Sequence, residues 1–200
     1  MKDIKTILSE AVGVLRAGGV ILYPTDTVWG LGCDATLPEA VKKVYAIKRR
    51  SDSKSLVLLA SDLDMVAKYV RQVPSIAVDL VEVNDAPMTL IYPEGLVSPE
   101  GKPDKNRLAP EVVAEDGSVG IRIPMMDFCR DLAFKLGRPL VSTSANISGE
   151  KTPASYREIS EEIRGAVDYI VPSFLEKTST GKASQIIKVG YDGEVAIIRK

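Results

Sequence analysis

Residues 119–149 read VGIRIPMMDFCRDLAFKLGRPLVSTSANISG. Alternation over 119–123 predicts a strand that Pro124 closes, and helical spacing over 126–136 predicts a helix that Gly137 ends. Residues 140–143 predict a second strand, which runs straight into a row of hydroxyls. Strand, helix and strand in succession point to an α/β or α+β domain.

The alternation continues in both directions. Upstream, Ile4, Ile7, Leu8, Ala11, Val12 and Leu15 lie at helical spacing before Gly18-Gly19, and residues 20–23 form an apolar run closed by Pro24. Thr36-x-x-Glu39 reads as a capping box, with Pro38 in the first turn of a helix reaching about Lys48. A strand is expected over 56–60, a helix capped by Ser61, another helix over 75–82 and a strand over 89–92. Residues 93–117 hold several Pro and Gly and little periodicity, which predicts a long surface excursion. Downstream, Ser155-x-x-Glu158 reads as a second capping box opening a helix to about Arg164. A strand over 167–171 and a polar loop over 172–183 follow. Strands 185–189 and 194–199 then flank a hairpin turn at Gly190-Tyr191-Asp192-Gly193. That hairpin argues against an all-parallel sheet. The expectation is one domain over 1–200, a twisted open mixed sheet flanked by helices.

Composition narrows the chemistry. The 200 residues carry 26 Lys+Arg against 27 Asp+Glu, a net charge of −1, and no histidine. Ser-His-Asp and Cys-His catalysis and His-ligated metals are therefore excluded. Cys33 and Cys129 are too far apart for a CxxC pair, and two thiols cannot complete a structural zinc site. They read as inert. The charged start MKDIKTILSE is not a signal peptide, and no apolar run nears the roughly 20 residues that span a bilayer. A cytoplasmic protein with no membrane partner is expected.

Three stretches could carry chemistry. Pro24-Thr25-Asp26-Thr27-Val28-Trp29-Gly30-Leu31-Gly32 follows a strand with hydroxyls, a carboxylate and glycines; it is either a ligand-approach loop or a turn satisfying its own backbone. Lys42, Lys43, Lys48, Arg49, Arg50 and Lys54 crowd one segment, either as a solvated helix face or as a seat for polyphosphate or nucleic acid. Ser142-Thr143-Ser144-Ala145-Asn146-Ile147-Ser148-Gly149 puts hydroxyls and an amide at a strand's carboxyl end, where open α/β sheets bind ligands. Arg122 sits in an apolar strand, on its solvated face or aimed at an anion. Trp29 reads as a packing residue. Neither GxxxxGK[ST] nor GxGxxG is present.

In order and spacing these stretches resemble the YrdC-like family of threonylcarbamoyl-AMP synthases. The likeness rests on Gly18-Gly19, Pro24-Thr25-Asp26-Thr27 through Gly32, Tyr45-Ala46-Ile47-Lys48-Arg49-Arg50, the Arg122 strand and Ser144-Ala145-Asn146. It covers about residues 10–199 and looks like the short, single-domain form. The resemblance implies a concave, positively charged cavity. It implies a nucleotidyltransferase that joins L-threonine, bicarbonate and ATP into threonylcarbamoyl-AMP and pyrophosphate, with Mg²⁺ carried mainly on the ATP phosphates. The product would feed tRNA modification through a downstream threonylcarbamoyl transferase machinery. It further implies that Lys48 and Arg50 are catalytic, holding phosphates. Arg50, Lys54, Ser118, Ser144, Asn146, Thr152 and Arg199 would contact ATP, and Thr27, Arg122, Ser142 and Ser184 would contact threonine. No protein metal ligand is implied. The chain departs from the family pattern at residues 83–87, Ser51, residues 125–128, Gln185 and Leu59. The runner-up is a non-catalytic module or diverged paralogue docking double-stranded RNA or tRNA through residues 42–54. A serine amidase centred on Ser142 or Ser144 is a third reading, and it lacks a Gly-rich oxyanion surround.

Overall fold

A computed structural model describes residues 2–49, 56–99 and 102–200. Nine strands form one mixed sheet among the described residues: β1 (Ile21–Tyr23), β2 (Gly30–Gly32), β3 (Val57–Leu59), β4 (Met88–Tyr92), β5 (Val119–Arg122), β6 (Leu140–Ser144), β7 (Tyr169–Ile170), β8 (Gln185–Val189) and β9 (Val195–Arg199). Their order is β7-β1-β2-β6-β3-β5-β4-β8-β9. β1–β7, β3–β5 and β4–β8 pair in parallel, and the other neighbours are antiparallel.

Alternation along each strand assigns its side chains to one of two cores, one on each face. Ile21 and Tyr23 of β1, Leu59 of β3 and Leu140 of β6 pack beneath helices α1 (Ile4–Arg16) and α5 (Asp127–Leu136). Leu22, Leu58 and Val141 point the other way, toward Ala40, Val41, Val44 and Tyr45 of α2 (Pro38–Lys48). Helices α3 (Leu63–Tyr69) and α4 (Ser75–Glu82) extend that second layer, and α6 (Glu161–Ala166) adds Ile163 to it. Each fully buried Leu or Ile contributes about 1.5–3 kcal/mol.

Several local expectations give way to tertiary contacts. Thr36 does not cap α2: its N–H and hydroxyl both donate to the fully buried Asp34, and Leu37 takes the cap position without a side-chain bond. Asp62, not Ser61, caps α3, accepting from Met65 N–H at 2.7 Å. The helix expected from Ser155 divides into a 3₁₀ turn, Tyr156–Glu158, and α6, which Ser160 caps. Most described residues of 93–117 are exposed or half-exposed, as expected of a surface excursion, but the segment is tied down at a few points. Leu108, Ala109 and Val112 are fully buried, and backbone bonds from Leu108 to Leu96 and from Ala109 to Ala35 stitch the segment onto the molecule. Gly30-Leu31-Gly32 is a central strand, where only a turn or ligand loop was expected. Its glycines are required there because a Cβ on Gly32 would meet Tyr23 Cε1 at 2.6 Å and the Val141 carbonyl at 2.7 Å.

Candidate functional site

The cavity lies where β6 leaves the core. Leu140 and Val141 are buried in opposite cores, and Ser142, Thr143 and Ser144 emerge half-exposed. These three hydroxyls line a cavity of about 440 Å³. Thr27, Gly30, Arg122, Thr152, Ser184 and Arg199 converge on it from five other segments. Two arginines and no carboxylate lie among the lining residues.

Arg122 ends β5 and is 4% exposed. One guanidinium nitrogen donates to Asp26 at 2.5 Å, while its buried Nε has no hydrogen-bond partner. The other Asp26 oxygen accepts from Met125 N–H at 2.9 Å. The strand arginine is therefore held by the very carboxylate that sets the 24–32 stretch apart. That stretch also satisfies itself as a turn: Thr25 Oγ1 donates to the Val28 carbonyl (2.7 Å), accepts from Thr27 N–H, and lies 2.8 Å from Thr27 Oγ1. The turn reading of the segment therefore holds, with Thr27 and Gly30 on the cavity wall.

Residues 179–184 close over this turn. Ser179 Oγ and Gly181 N–H donate to the Thr27 carbonyl, and Thr180 N–H donates to the Asp26 carbonyl. Ser184 Oγ lies 2.8 Å from Thr89 Oγ1, and its carbonyl accepts both Arg199 Nε and an Arg199 terminal nitrogen. Gly181 and Ala183, on the cavity wall, were not singled out in the sequence. The only signal there was a polar, glycine-bearing loop.

Of the residues the resemblance implicates, Thr27, Arg122, Ser142, Ser144, Thr152, Ser184 and Arg199 meet at the cavity, and three others do not line it. Lys48 is 2% exposed and donates to the carbonyls of Ser144 and Asn146 at 2.6 and 2.8 Å, placing its charge beneath the exit of β6. Asn146 donates to the carbonyls of Ile147 and Glu150, shaping the turn that follows. Ser118 Oγ donates to Asp116 at 2.6 Å. Asp116 also takes Lys188, and those bonds hold its carboxyl well below the usual range. Arg50 and Lys54 lie outside the described residues. The described cations of the 42–54 segment are engaged within the chain. Lys42 pairs with Glu39 and Glu111, Lys43 bonds the Gly18 carbonyl, and Arg49 pairs with Glu162.

Cys33 and Cys129 are both buried, and burial pushes both thiols up, away from the reactive thiolate. Trp29 is fully buried against Tyr156, ring centroids 5.1 Å apart, as a packing residue would be. No helix among the described residues is long and apolar enough to cross a membrane.

A threonylcarbamoyl-AMP synthase of Stenotrophomonas maltophilia is 39% identical over 163 residues, 79% of this chain and 80% of that one. Another, from Hahella chejuensis, is 30% identical over 180 residues, 90% of this chain and 91% of that one. The structure of P. abyssi Sua5 complexed with L-threonine matches 94% of this chain with a TM-score of 0.76 and 24% identity. The match spans 52% of the Sua5 chain, so the present fold corresponds to about half of that protein. The family model for Sua5, YciO and YrdC, described as telomere recombination, matches residues 13–200. By that match the chain belongs to the Sua5/YciO/YrdC family.

Proposed function

We propose that the chain is a threonylcarbamoyl-AMP synthase, a nucleotidyltransferase acting on L-threonine, bicarbonate and ATP. The observation that carries the reading is the meeting of Arg122 with the β6 hydroxyls in one cavity, in a chain whose named relatives make this product. The L-threonine held by P. abyssi Sua5 agrees with it.

The reaction has two bond-forming steps. The unprotonated threonine amine adds to carbon dioxide, giving a carbamate and a proton. A carbamate oxygen then attacks the α-phosphorus of ATP as the bond to the β-phosphate oxygen breaks, and pyrophosphate leaves. The nucleophile is already anionic, so no strong base is needed. The barrier is the approach of two anions, which positioning and fixed positive charge lower.

Residue roles follow from placement. Arg122 brings a guanidinium to the cavity wall, a group suited to a threonine carboxylate or carbamate oxygen. Thr27, Ser142 and Ser184 surround it with neutral donors and acceptors. Ser144, Thr152 and Arg199 line the remainder, on the side assigned to the nucleotide. Lys48 fixes the carbonyls of Ser144 and Asn146, so it positions the β6 exit. Arg50 and Lys54 complete the nucleotide side in this proposal on the strength of the sequence pattern alone.

Among the described residues no group of three or more Cys, Asp or Glu could hold a metal. In this reading magnesium enters on the ATP phosphates, and the described cavity lining brings no carboxylate to it. The product would pass to a cytoplasmic tRNA threonylcarbamoyl transfer step.

The test is pyrophosphate release from ATP by the full chain, with threonine and bicarbonate omitted in turn. Release that needs both is expected. Release indifferent to threonine, or none, overturns the proposal.

A further inference from the structure

One strand of the sheet is uncovered on both faces. β9 ends the strand order, and all five of its residues are exposed. Val195, Ile197 and Ile198 are 47%, 60% and 57% exposed. Proteins usually blunt such an edge with a Lys, a Pro, a bulge or a very short strand. The opposite edge, β7, is only two residues long. In β9 the register shifts only beyond Ile197, and residues 195–198 hold no Lys or Pro. Beside the strand, Pro93, Val189, Tyr191 and Val195 line a depression of about 480 Å³, with Asp192 and Glu194 on its wall. It shares no lining residue with the cavity at β6.

The open edge has a defined backbone pattern. Gly190 N–H donates to the Glu194 carbonyl at 2.8 Å, so Glu194 turns its backbone toward β8. Opposed residues of an antiparallel pair alternate between bonded and unbonded. Val195 and Ile197, opposite Val189 and Ile187, therefore present their N–H and C=O groups to the open side. Charge is graded along the same stretch. Asp192 and Glu194 lead into β9, and Arg199 and Lys200 end it. A strand acidic at one end and basic at the other complements itself when two copies run antiparallel. Shape follows the same polarity, because the depression lies at the Val195 end and the exposed Ile197 and Ile198 toward the other.

We propose that β9 pairs with β9 of a second copy of this chain, antiparallel, about a two-fold axis at Ala196. This register sets Val195 opposite Ile197 of the second copy and Ile197 opposite its Val195. The outward N–H and C=O groups of both residues are then bonded in both copies. Lys200 of the second copy is brought toward Asp192, and Ile197 and Ile198 of the second copy toward the depression at Val195. Each contact occurs twice, as an isologous interface requires. The inference goes beyond the proposed synthase activity and does not depend on it.

Sedimentation velocity on the full chain over about 1–200 μM tests the pairing. A single-strand seam is small beside the roughly 800 Å² per partner of stable complexes, so micromolar association is expected. The mass should climb with concentration from 21.6 kDa toward twice that value. Ile197→Lys places a charge at an exposed position in the middle of the seam. It should leave the far-UV circular dichroism melt unchanged and weaken association about 10-fold or more. Ala196→Cys gives a second readout that does not rest on that variant. Cys33 and Cys129 are buried, so under mild oxidation two chains should link through position 196, close to the two-fold axis. Val83→Cys, 78% exposed just past α4, is the control and should not link. A chain that stays monomeric at every concentration leaves the edge to a different partner and overturns the proposal. A dimer that Ile197→Lys leaves intact, or cross-linking no faster at position 196 than at 83, overturns it as well.

Discussion

Replacing Asp26 with alanine tests the Arg122 anchor directly. Asp26 is 4% exposed and serves two donors, the Arg122 guanidinium at 2.5 Å and Met125 N–H at 2.9 Å. Deleting its carboxylate strands a buried guanidinium whose Nε already lacks a partner. Removing one member of a buried ion pair costs about 3–5 kcal/mol, and the orphaned backbone N–H adds about 1–3 kcal/mol. With a urea slope near the upper end of about 1–3 kcal/mol/M, the unfolding midpoint should fall by roughly 1.3–2.7 M. Asp26→Asn retains an acceptor for one of the two donors and should lose less. The double variant Asp26→Leu/Arg122→Met removes both charges together and should recover most of the lost stability. It should still lack threonine-dependent pyrophosphate release. Equilibrium urea unfolding followed by far-UV circular dichroism measures all three. A midpoint shift below about 0.5 M for Asp26→Ala, or a double variant less stable than either single one, would refute the reasoning.

Four further outcomes are expected. Gly32→Ala forces a Cβ to within 2.6 Å of Tyr23 and 2.7 Å of the Val141 carbonyl and should cost about 1–3 kcal/mol in thermal unfolding. Gly13→Ala, with nothing within 4 Å on an α1 helix turn, should instead stabilise by about 0.5–1 kcal/mol. Lys48→Ala removes the donor to two carbonyls at the β6 exit and should cut turnover about 10²-fold; near-normal pyrophosphate release would count against that role. Burial pushes up Cys33, Cys129, Tyr23 and Tyr92, so each holds its proton more tightly folded than unfolded. Their contribution to stability should thus be fully present below the ordinary thiol value of 9.0 and be lost as pH rises beyond it, as urea midpoints from pH 7 to 11 would show.

What the sequence shows depends on whether the deciding contact is local. Apolar periodicity marks α1, α2, α4 and α5 to within a residue or two because one face of each meets a core. The capping boxes are local patterns too, yet Thr36 is taken by Asp34, a residue fixed in turn by Arg138 far along the chain. Residues 93–117 lack periodicity because their burial runs through isolated contacts such as Val97 to Leu108, with no repeating face. β2 is concealed because glycine is an unfavourable strand residue, and its reason is a tyrosine on the neighbouring strand. The cavity divides the same way. The hydroxyls of β6 are legible as polar residues continuing a buried strand. The pairing of Arg122 with Asp26, and the fold of 179–184 over Thr27, join segments that sequence order keeps apart.

The absence of histidine becomes a statement about how the proposed reaction must respond to pH. Among the described residues the cavity lining has no carboxylate, and the two thiols lie outside it. With no histidine in the sequence, the described lining therefore brings no carboxylate, thiol or imidazole to the reaction between pH 6 and 9. The amine of threonine does, and only its unprotonated form can add to carbon dioxide. At fixed dissolved carbon dioxide, kcat/KM for threonine should rise with that unprotonated fraction and show no bell. A descending limb, or a break near pH 6.5 that persists when carbon dioxide is held constant, would mean that a protein group titrates in the reaction. The fixed-charge mechanism would then be wrong.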